Sequence, residues 1–257
     1  MSAGSAVYLY GLLHRPSFPR LAGSPAGLPG MGAPRAVPVA PALWLVVADA
    51  PLDRYAGAAI DRRLPDLDWV SACALAHEAV VEHVARLGTV VPMKLFTLFT
   101  TEARALAHVR RRRRALARVI SRIAGRQEWG VRIRVEATAA RSDGRPRAPR
   151  SLSGTQFLLR KQRESAARRR ATAAAPPVRR ALRALGAISD AARRRAIPVQ
   201  ASRVSGMVAD VVYLVKTADR PRFAAAVERA RRGLAEQGFA IIITGPWPPY
   251  HFIPGGR

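Results

Sequence analysis

The sequence predicts an α+β protein with two domains, and three observations support this prediction. Strand-like and helix-like segments alternate along most of the 257 residues, hydrophobic residues make up 49%, and the order after Gln127 is β-α-β-β-α-β. That hydrophobic fraction is ordinary for a globular protein and too high for a chain disordered throughout. The predicted domains are an N-terminal mixed α+β domain over 1–126 and a modified ferredoxin-like domain over 127–257.

The N-terminal domain is predicted to begin with a strand. Val7–Leu13 combines aromatic and β-branched residues and ends near Gly11 and His14. A proline- and glycine-rich stretch over 16–41 predicts a loop, with a short edge strand at Ala36–Val39. Leu43–Ala48 is continuously apolar, which indicates a strand buried on both faces.

Helices follow these strands. Asp53–Leu64 and Asp66–Leu87 each come soon after a proline and open with an acidic residue, as helix N-termini favour. Thr89–Phe99 predicts a strand interrupted by a proline, and Thr101–Ala124 predicts one long helix capped by Thr101. Helical spacing places Arg113 on the buried stripe of that helix, where its guanidinium must reach solvent or find a carboxylate.

The C-terminal domain starts with a clean alternation of apolar and charged residues, which indicates a half-exposed strand. A polar, arginine-rich segment over 137–153 predicts a variable loop, and an extra helix is added to the ferredoxin-like order. The remaining predicted elements are the strand Trp129–Glu136, the helix Gly154–Ala175, a shorter helix within Pro176–Arg195, the strands Ile197–Arg203 and Met207–Lys216, the helix Pro221–Gln237 and the strand Phe239–Thr244.

The C-terminal end of the last strand is unusual. Three of the four residues 246–249 are prolines, which lack an N–H and fix φ, so the sheet ladder is predicted to stop at Thr244. The stiff tail that results holds Trp247, Pro248 and Tyr250, which we predict to contact a partner protein. The alternative is that these aromatic residues cover the hydrophobic core at the end of the sheet, since aromatic rings bury large apolar areas.

The net charge of +26 permits binding to acidic surfaces that weakens with salt. Only Lys94, Lys161 and Lys216 are lysines among 43 basic residues, an arginine bias that GC-rich coding produces without selection for function. RNA-binding ferredoxin-like sheets carry paired aromatic residues on central strands. The segment 205–213 has one aromatic residue and an aspartate instead. The basic charge keeps nucleic-acid binding on a ferredoxin-like fold as the alternative function. Because the aromatic residues are missing, nucleic acid is not the predicted partner.

The sequence offers no pattern typical of an enzyme. His77 and His83 are six residues apart and fall on different faces of a helix, so they do not form the zinc-protease pattern with Glu78. We interpret this segment as a solvated helix edge. The lone Cys73 lies in an apolar helix stripe, and neither a nucleophilic serine motif nor a phosphate-binding glycine loop is present. We predict no catalytic, metal-binding or cofactor-binding residue and no small-molecule substrate.

Hydropathy and cysteine content predict the compartment. No uncharged apolar stretch approaches the roughly 20 residues that a membrane span needs. The N-terminal apolar run covers only Ala6–Leu13 and lacks a basic segment before it, which argues against a secretory signal. A single cysteine forms no intrachain disulfide. We expect a cytoplasmic protein.

Several segments, in this order along the chain, resemble the gas vesicle protein F/L family. The most specific is the C-terminal GPWPPYHF, whereas VYLYG alone is weak. The segments are VYLYGLL, AHEAVVEHV, VVPMKLFTLF, EWGVRIRV, GTQFLLRKQRE and GPWPPYHF. The sequence departs from the family after Pro92, where Lys94 replaces an arginine and Leu95-Phe96 stand in place of Phe-Gly. Phe96 is therefore expected to have ordinary backbone angles, without the close approach that glycine allows.

This resemblance implies a function in assembly. Family members are similar in having two α+β domains, the second a modified ferredoxin fold. The resemblance implies a non-enzymatic, cytoplasmic assembly factor for gas vesicles that binds the hydrophobic shell protein and other accessory proteins. An unassembled shell subunit exposes a large apolar surface that aggregates unless it is covered.

Overall fold

The computed structural model describes residues 5–136, 175–197 and 206–253 and contains two compact units. The first unit comprises Met1–Gln127 together with Trp247–Arg257, and the second comprises Glu128–Pro246. The sequence assigned the C-terminal residues to the second domain. In the structure they group with the first unit, because Tyr250 packs against its hydrophobic core.

The first unit is built on a five-stranded sheet in the order β2-β3-β1-β4, with β5 also paired to β1. The pairings of β1 with β3, β4 and β5 and of β2 with β3 are antiparallel. These strands confirm the predicted ones, except that the strand predicted over 89–99 is divided in two. The strands are β1 (Ser5–His14), β2 (Arg35–Ala40), β3 (Leu43–Pro51), β4 (Thr89–Pro92) and β5 (Leu98–Phe99).

A β-bulge in β1 brings Leu13 to the same face of the strand as Tyr8 and Tyr10. The register with β3 shifts between Leu9 and Gly11, so Tyr10 is the extra residue. The bulge changes the alternation of the strand, and Tyr8, Tyr10 and Leu13 all join one buried cluster beneath α3. The bulged Tyr10 keeps its carbonyl paired, since the Met93 N–H donates to it at 2.9 Å.

The described part of the first unit has five α-helices, and none of the described helices of the protein is both long and apolar enough to cross a membrane. The Asp66 side chain caps α3 by accepting from the N–H groups of Asp68 and Trp69, as the sequence predicted for an acidic start. The buried stripe of α3 includes Cys73. The helices are α1 (Leu52–Tyr55), α2 (Gly57–Arg63), α3 (Leu67–Ala85), α4 (Glu102–Arg111) and α5 (Arg113–Ile123).

The prediction of one continuous helix over 101–124 is wrong at Arg112. That residue has φ −99° and ψ 8°, which ends α4 and restarts the chain as α5. The break rotates the second helix relative to the first, so that Val109 and Val119 both reach the core while Arg113 stays exposed. Arg113 therefore needs no carboxylate, because it does not lie on the buried stripe.

The second unit contains a four-stranded sheet in the order β7-β8-β6-β9 and two described helices. The described elements follow the order β-α-β-β-α-β, and together the two units confirm the predicted α+β class. The core includes Trp129, Tyr213 and Phe223. The elements are β6 (Arg126–Val135), α6 (Ala175–Gly186), β7 (Ala191–Arg194), β8 (Met207–Lys216), α7 (Arg220–Ala235) and β9 (Phe239–Trp247).

The loop over 137–153 and the helix over 154–175 lie outside the described residues, apart from Ala175, as does the strand over 197–203, apart from Ile197. The shorter helix predicted within Pro176–Arg195 is present as α6, and the segment 191–194, for which no strand was predicted, forms β7. It pairs antiparallel with β8, Ala191 opposite Leu214, and this pairing overrides a local helix preference.

The last strand is longer than predicted. β9 continues past Thr244 to Trp247, although the sequence includes Pro246. A proline is tolerated in a strand where its missing N–H is not needed, and β9 lies at the edge of its sheet. The extended conformation predicted for the residues around Pro246 is thus present, but the predicted stop at Thr244 is wrong.

Candidate partner-binding groove

A groove of about 940 Å³ is lined entirely by residues of the first unit. We call it the C-terminal groove, because Tyr250 and Ile253 contribute to its wall. The other lining residues come from α3, from β4 and the loop after it, and from α4 and α5. Most are apolar: Ala74, Val91, Pro92, Met93, Leu95, Ala115, Leu116 and Val119.

The loop after β4, which forms one wall, is fixed by a buried hydrogen-bond chain. The Tyr8 hydroxyl donates to Nδ1 of His77 at 2.7 Å, and Nε2 of His77 donates to the Met93 carbonyl at 3.2 Å. The same hydroxyl oxygen accepts from the Phe96 N–H at 3.4 Å. One tyrosine and one histidine thus satisfy two backbone groups of the loop. The neutral imidazole with its hydrogen on Nε2 fits both contacts.

Burial keeps the side chains of this hydrogen-bond chain, Tyr8 and His77, uncharged near neutral pH. It lowers the pKa of His77 to about 4, against a smaller opposing effect of the hydrogen bond to Met93. Burial also raises the pKa of Tyr8. The Tyr10 ring stacks on His77 with centroids 5.5 Å apart. His77 is only 4% exposed, so the interpretation of its segment as a solvated helix edge is wrong at this residue.

Phe96 does not have the ordinary backbone angles expected from its side chain. Its φ is +62°, in the left-handed region that favours glycine. The ring stacks on Trp69 with centroids 5.5 Å apart and planes 6° apart, and it also lies 6.5 Å from the Tyr55 ring. The loop therefore keeps a glycine-like turn without a glycine, and aromatic packing together with the Tyr8 hydrogen bond holds it there.

Tyr250 joins the C-terminal residues to α3. Its hydroxyl donates to Oε2 of Glu78 at 2.7 Å. Burial raises the pKa of Tyr250, and the Glu78 carboxylate adds to this effect, so the phenol stays protonated and remains a donor. This bond holds the end of the chain against the first unit.

The three residues predicted to contact a partner have different surroundings. Trp247 is exposed at 38%, Pro248 is buried, and Tyr250 is half-buried in the groove wall. The structure brings Tyr250 into the groove and leaves Trp247 and Pro248 outside its lining. The alternative role, covering a core, describes Tyr250, because that residue packs on the core of the first unit.

Sequence analysis missed the α4–α5 wall of the groove. Its apolar residues Ala115, Leu116 and Val119 line the groove, and Leu116 is only half-buried. The sequence does contain a signal for this wall, since the segment has more apolar residues at helical spacing than its buried positions account for. The five consecutive arginines before these residues obscure that signal, because they indicate a charged surface.

The groove is mostly apolar in its lining and carries basic residues on two of its walls. Lys94, His108 and Arg112 line it, and Glu78 is the acid among its described lining residues. Burial lowers the pKa of His108, and the guanidinium groups of Arg112 and Arg111 lower it further. His108 is therefore neutral near pH 7, and the fixed positive charges belong to Lys94 and Arg112.

The described residues contain no group of three or more His, Cys, Asp or Glu side chains placed to hold a metal ion. Both ring nitrogens of His77 contact protein groups. On β8, where an RNA-binding sheet needs exposed aromatic residues, Tyr213 is buried and donates to the Leu182 carbonyl at 3.2 Å. The Asp210 carboxylate on that strand accepts from Arg195 at 2.8 Å. This strand offers bases no ring to stack on.

The fold is similar to the folds of two α+β proteins of known crystal structure. The crystal structure of the gas vesicle protein GvpF from Anabaena sp. PCC7120 superposes with a TM-score of 0.68 at 18% identity, covering 97% of this chain and 96% of that one. The crystal structure of GvpF from Microcystis aeruginosa gives a TM-score of 0.65 at 15% identity, covering 96% and 98%. At these identities the likeness concerns the fold.

Sequence comparison then identifies the family. The family described as "Gas vesicle synthesis protein GvpL/GvpF" matches residues 6–254, and the chain belongs to it. Gas vesicle protein L of Streptomyces sp. (strain CB03234) is 29% identical over 215 residues, covering 82% of this chain and 79% of that protein. The resemblance noted in the sequence is therefore confirmed, and the protein has a role in gas vesicle formation.

Proposed function

We propose that this protein is a non-enzymatic, cytoplasmic assembly factor that binds the hydrophobic gas vesicle shell protein and other accessory proteins. The observation that carries the proposal is the apolar groove of about 940 Å³ in the first unit. An apolar concave surface of this size is suited to cover an apolar segment of the shell protein that would otherwise aggregate.

Trp247 supplements the groove as an exposed aromatic anchor. It is three residues before Tyr250, whose bond to Glu78 fixes the C-terminal residues. Tryptophan and tyrosine contribute strongly to interfaces, because they bury large areas at a small entropic cost. Pro248 is buried, so in this proposal it stiffens the chain next to Trp247 and does not itself contact the shell protein.

The test is co-expression with the shell protein, followed by measurement of how much shell protein stays soluble and copurifies. Leu116→Gln places an amide in the groove, and Trp247→Ala removes the anchor. Each is expected to reduce the affinity by at least about tenfold, the effect of losing an interface hot spot. Circular dichroism checks that each variant is folded.

Matched controls separate the groove from exposed apolar surface in general. Leu75→Gln changes a leucine of α3 that is 73% exposed and does not line the groove. Phe18→Ala removes an aromatic side chain that is 59% exposed. Both controls should capture the shell protein as the wild type does. Equal capture by Leu116→Gln and its control would reject the groove as the binding site, and equal capture by Trp247→Ala and Phe18→Ala would reject the anchor.

A further inference from the structure

The charges around the C-terminal groove differ from wall to wall. The α4–α5 segment over 102–123 contains eight arginines and a single acidic residue, Glu102, which forms an ion pair with Arg35. The α3 helix contains acidic residues and no lysine or arginine. The excess of positive charge at the groove therefore belongs to the α4–α5 wall and to Lys94.

Within the part of the chain that the structure describes, these groove cations have no acidic ion-pair partner. Among the described residues, no ion pair involves Lys94, Arg112, Arg118 or Arg122. Lys94 and Arg112 line the groove. Arg118 follows Ala115 by three residues and Arg122 follows Val119 by three, so helical geometry places both beside the groove-lining stripe of α5. Cations without an ion pair among the described residues thus lie on two walls of an apolar groove, along α4–α5 and at Lys94 in the loop after β4.

The placement of these arginines is unfavourable without an anion. Arg113 and Arg114 stand in the first turn of α5, which contains no acidic residue, and Arg112 lies between the C-terminus of α4 and the N-terminus of α5. Cations at a helix N-terminus oppose the helix dipole, and neighbouring like charges repel one another. A carboxylate brought to the α4–α5 wall by a partner would relieve both effects.

The residues that line the groove indicate the secondary structure of the segment that would bind in it. Side chains of α3, α4 and α5 form much of the groove and offer little to an extended backbone, which needs hydrogen-bond partners for its own N–H and C=O groups. A helix satisfies its backbone internally and presents only side chains to an apolar groove.

We infer that the C-terminal groove binds an amphipathic helix of a protein partner, with its apolar face in the groove and carboxylates along the edge that faces α4–α5. This inference rests on the proposed function, since it specifies the chemistry of the segment that the groove takes. Nucleic acid is the less suitable occupant, because an apolar groove gains nothing from a phosphate backbone.

The experiment uses the full-length protein and three fluorescent helical peptides that have the same length. The first has a leucine face and a glutamate edge, the second has the same face and a lysine edge, and the third keeps the glutamate edge but has serine in place of leucine. Fluorescence anisotropy at physiological salt should show the first peptide binding at least tenfold more tightly than either of the others.

Charge reversal locates the binding site. The double variant Lys94→Glu, Arg112→Glu should weaken binding of the glutamate–leucine peptide by at least tenfold. Arg112 lies between two helices, where a glutamate favours the dipole of α5 and opposes that of α4, so the two effects largely cancel and the variant should remain folded, which circular dichroism checks. The control variant Arg20→Glu, Arg62→Glu makes the same change in net charge at two exposed positions outside the groove, and it should bind within about threefold of wild type.

Each contrary result overturns the inference in a recognisable way. Equal binding of the glutamate and lysine peptides would exclude selection for acid, and equal binding of the serine peptide would leave only nonspecific charge attraction. Duplex DNA could also displace the first peptide from the wild type at a lower concentration than the unlabelled peptide does. If the Lys94→Glu, Arg112→Glu variant loses that DNA binding, the edge is a nucleic-acid surface. The shell-protein measurement contains none of these peptides, so the inference and the proposed function can fail separately.

Discussion

The two units of this protein differ in how they pair their arginines. The first unit buries a polar hydrogen-bond chain, Tyr8 to His77 to the Met93 carbonyl, and leaves the arginines of α5 without acidic partners among the described residues. The second unit also buries polar groups, Glu128 and the Tyr213 hydroxyl, but its mostly buried Asp210 pairs with an arginine.

The arginine content therefore has two different outcomes. In the second unit, Asp210 accepts from Arg195 and lies 3.4 Å from Arg132, so its carboxylate compensates two guanidinium groups. In the first unit, Arg112 has no such partner among the described residues and lines the groove. A coding bias of the kind that the sequence suggests would raise the number of arginines, but it would not determine where acids are present or missing. The placement of acids distinguishes structural arginines from those available to a partner.

The largest expected difference between the units is their response to acid. All five histidines, His14, His77, His83, His108 and His251, lie in the first unit. The pKa of His77 is about 4 in the folded protein against an ordinary value near 6.5, so between these values the unfolded state binds the proton and the folded state does not. The free energy of unfolding that neutral His77 contributes is complete above pH 6.5 and is lost as the pH falls towards 4. From pH 7.5 to 5 it should fall by about 2 kcal/mol.

Urea unfolding at the two pH values measures this loss, with His77→Gln as the reference that lacks the titrating group. Hydrogen exchange should locate the loss in β1 and α3 and leave β6 and β8 unaffected. An equal loss in wild type and variant would show that His77 is not responsible. A loss located in the second unit would contradict the contrast itself.

The second test removes the acid that compensates two arginines. Asp210→Asn keeps the shape of the side chain but removes its charge, and the Asp210 carboxylate is mostly buried with 11% side-chain exposure. We expect a loss of about 1.5 kcal/mol, since the two guanidinium groups are partly exposed and solvent takes up some of the cost. Arg118→Gln in the first unit is the matched control, and its free energy of unfolding should stay within about 0.5 kcal/mol of wild type. Similar losses in both variants would mean that α5 arginines are structural as well.

Much of the fold could be predicted from local patterns. β1, β3, α3 and α7 have hydrophobic periods long enough to determine element type, and the acidic Asp66 marks the start of α3. The break at Arg112 was not predictable, because five arginines fit a helix equally well at every position. β7 was missed for a related reason, since its residues favour a helix and only pairing with β8 makes them a strand.

The candidate site was less predictable than the fold, because its residues come from distant parts of the chain. The sequence indicated Trp247 and Tyr250 through their proline-rich surroundings, yet Tyr250 meets Glu78, 172 residues away in sequence, and nothing local signals that pair. His77 was read as part of a solvated edge, because its spacing fits no metal site and its partner Tyr8 lies on another element. A hydrogen-bond chain of this kind requires the tertiary fold before it can be recognised.

Backbone strain gives the smallest expected effect and the sharpest contrast between the units. Among the described residues, every positive φ in the second unit belongs to a glycine, whereas the first unit has Ala42 at +60° and Phe96 at +62°. Phe96→Ala and Phe96→Gly both lose the stacking on Trp69 and should both be less stable than wild type. Glycine has no Cβ to oppose a left-handed backbone, so Phe96→Gly should be more stable than Phe96→Ala by about 1 kcal/mol.

Leu95, in the same loop, has no positive φ, and there the order should reverse, with glycine less stable than alanine. Equilibrium urea unfolding of the four variants decides the matter. If glycine is the worse replacement at both positions, Phe96 does not hold the strained backbone described here, and the wall of the groove is fixed by the Tyr8–His77 hydrogen bonds alone.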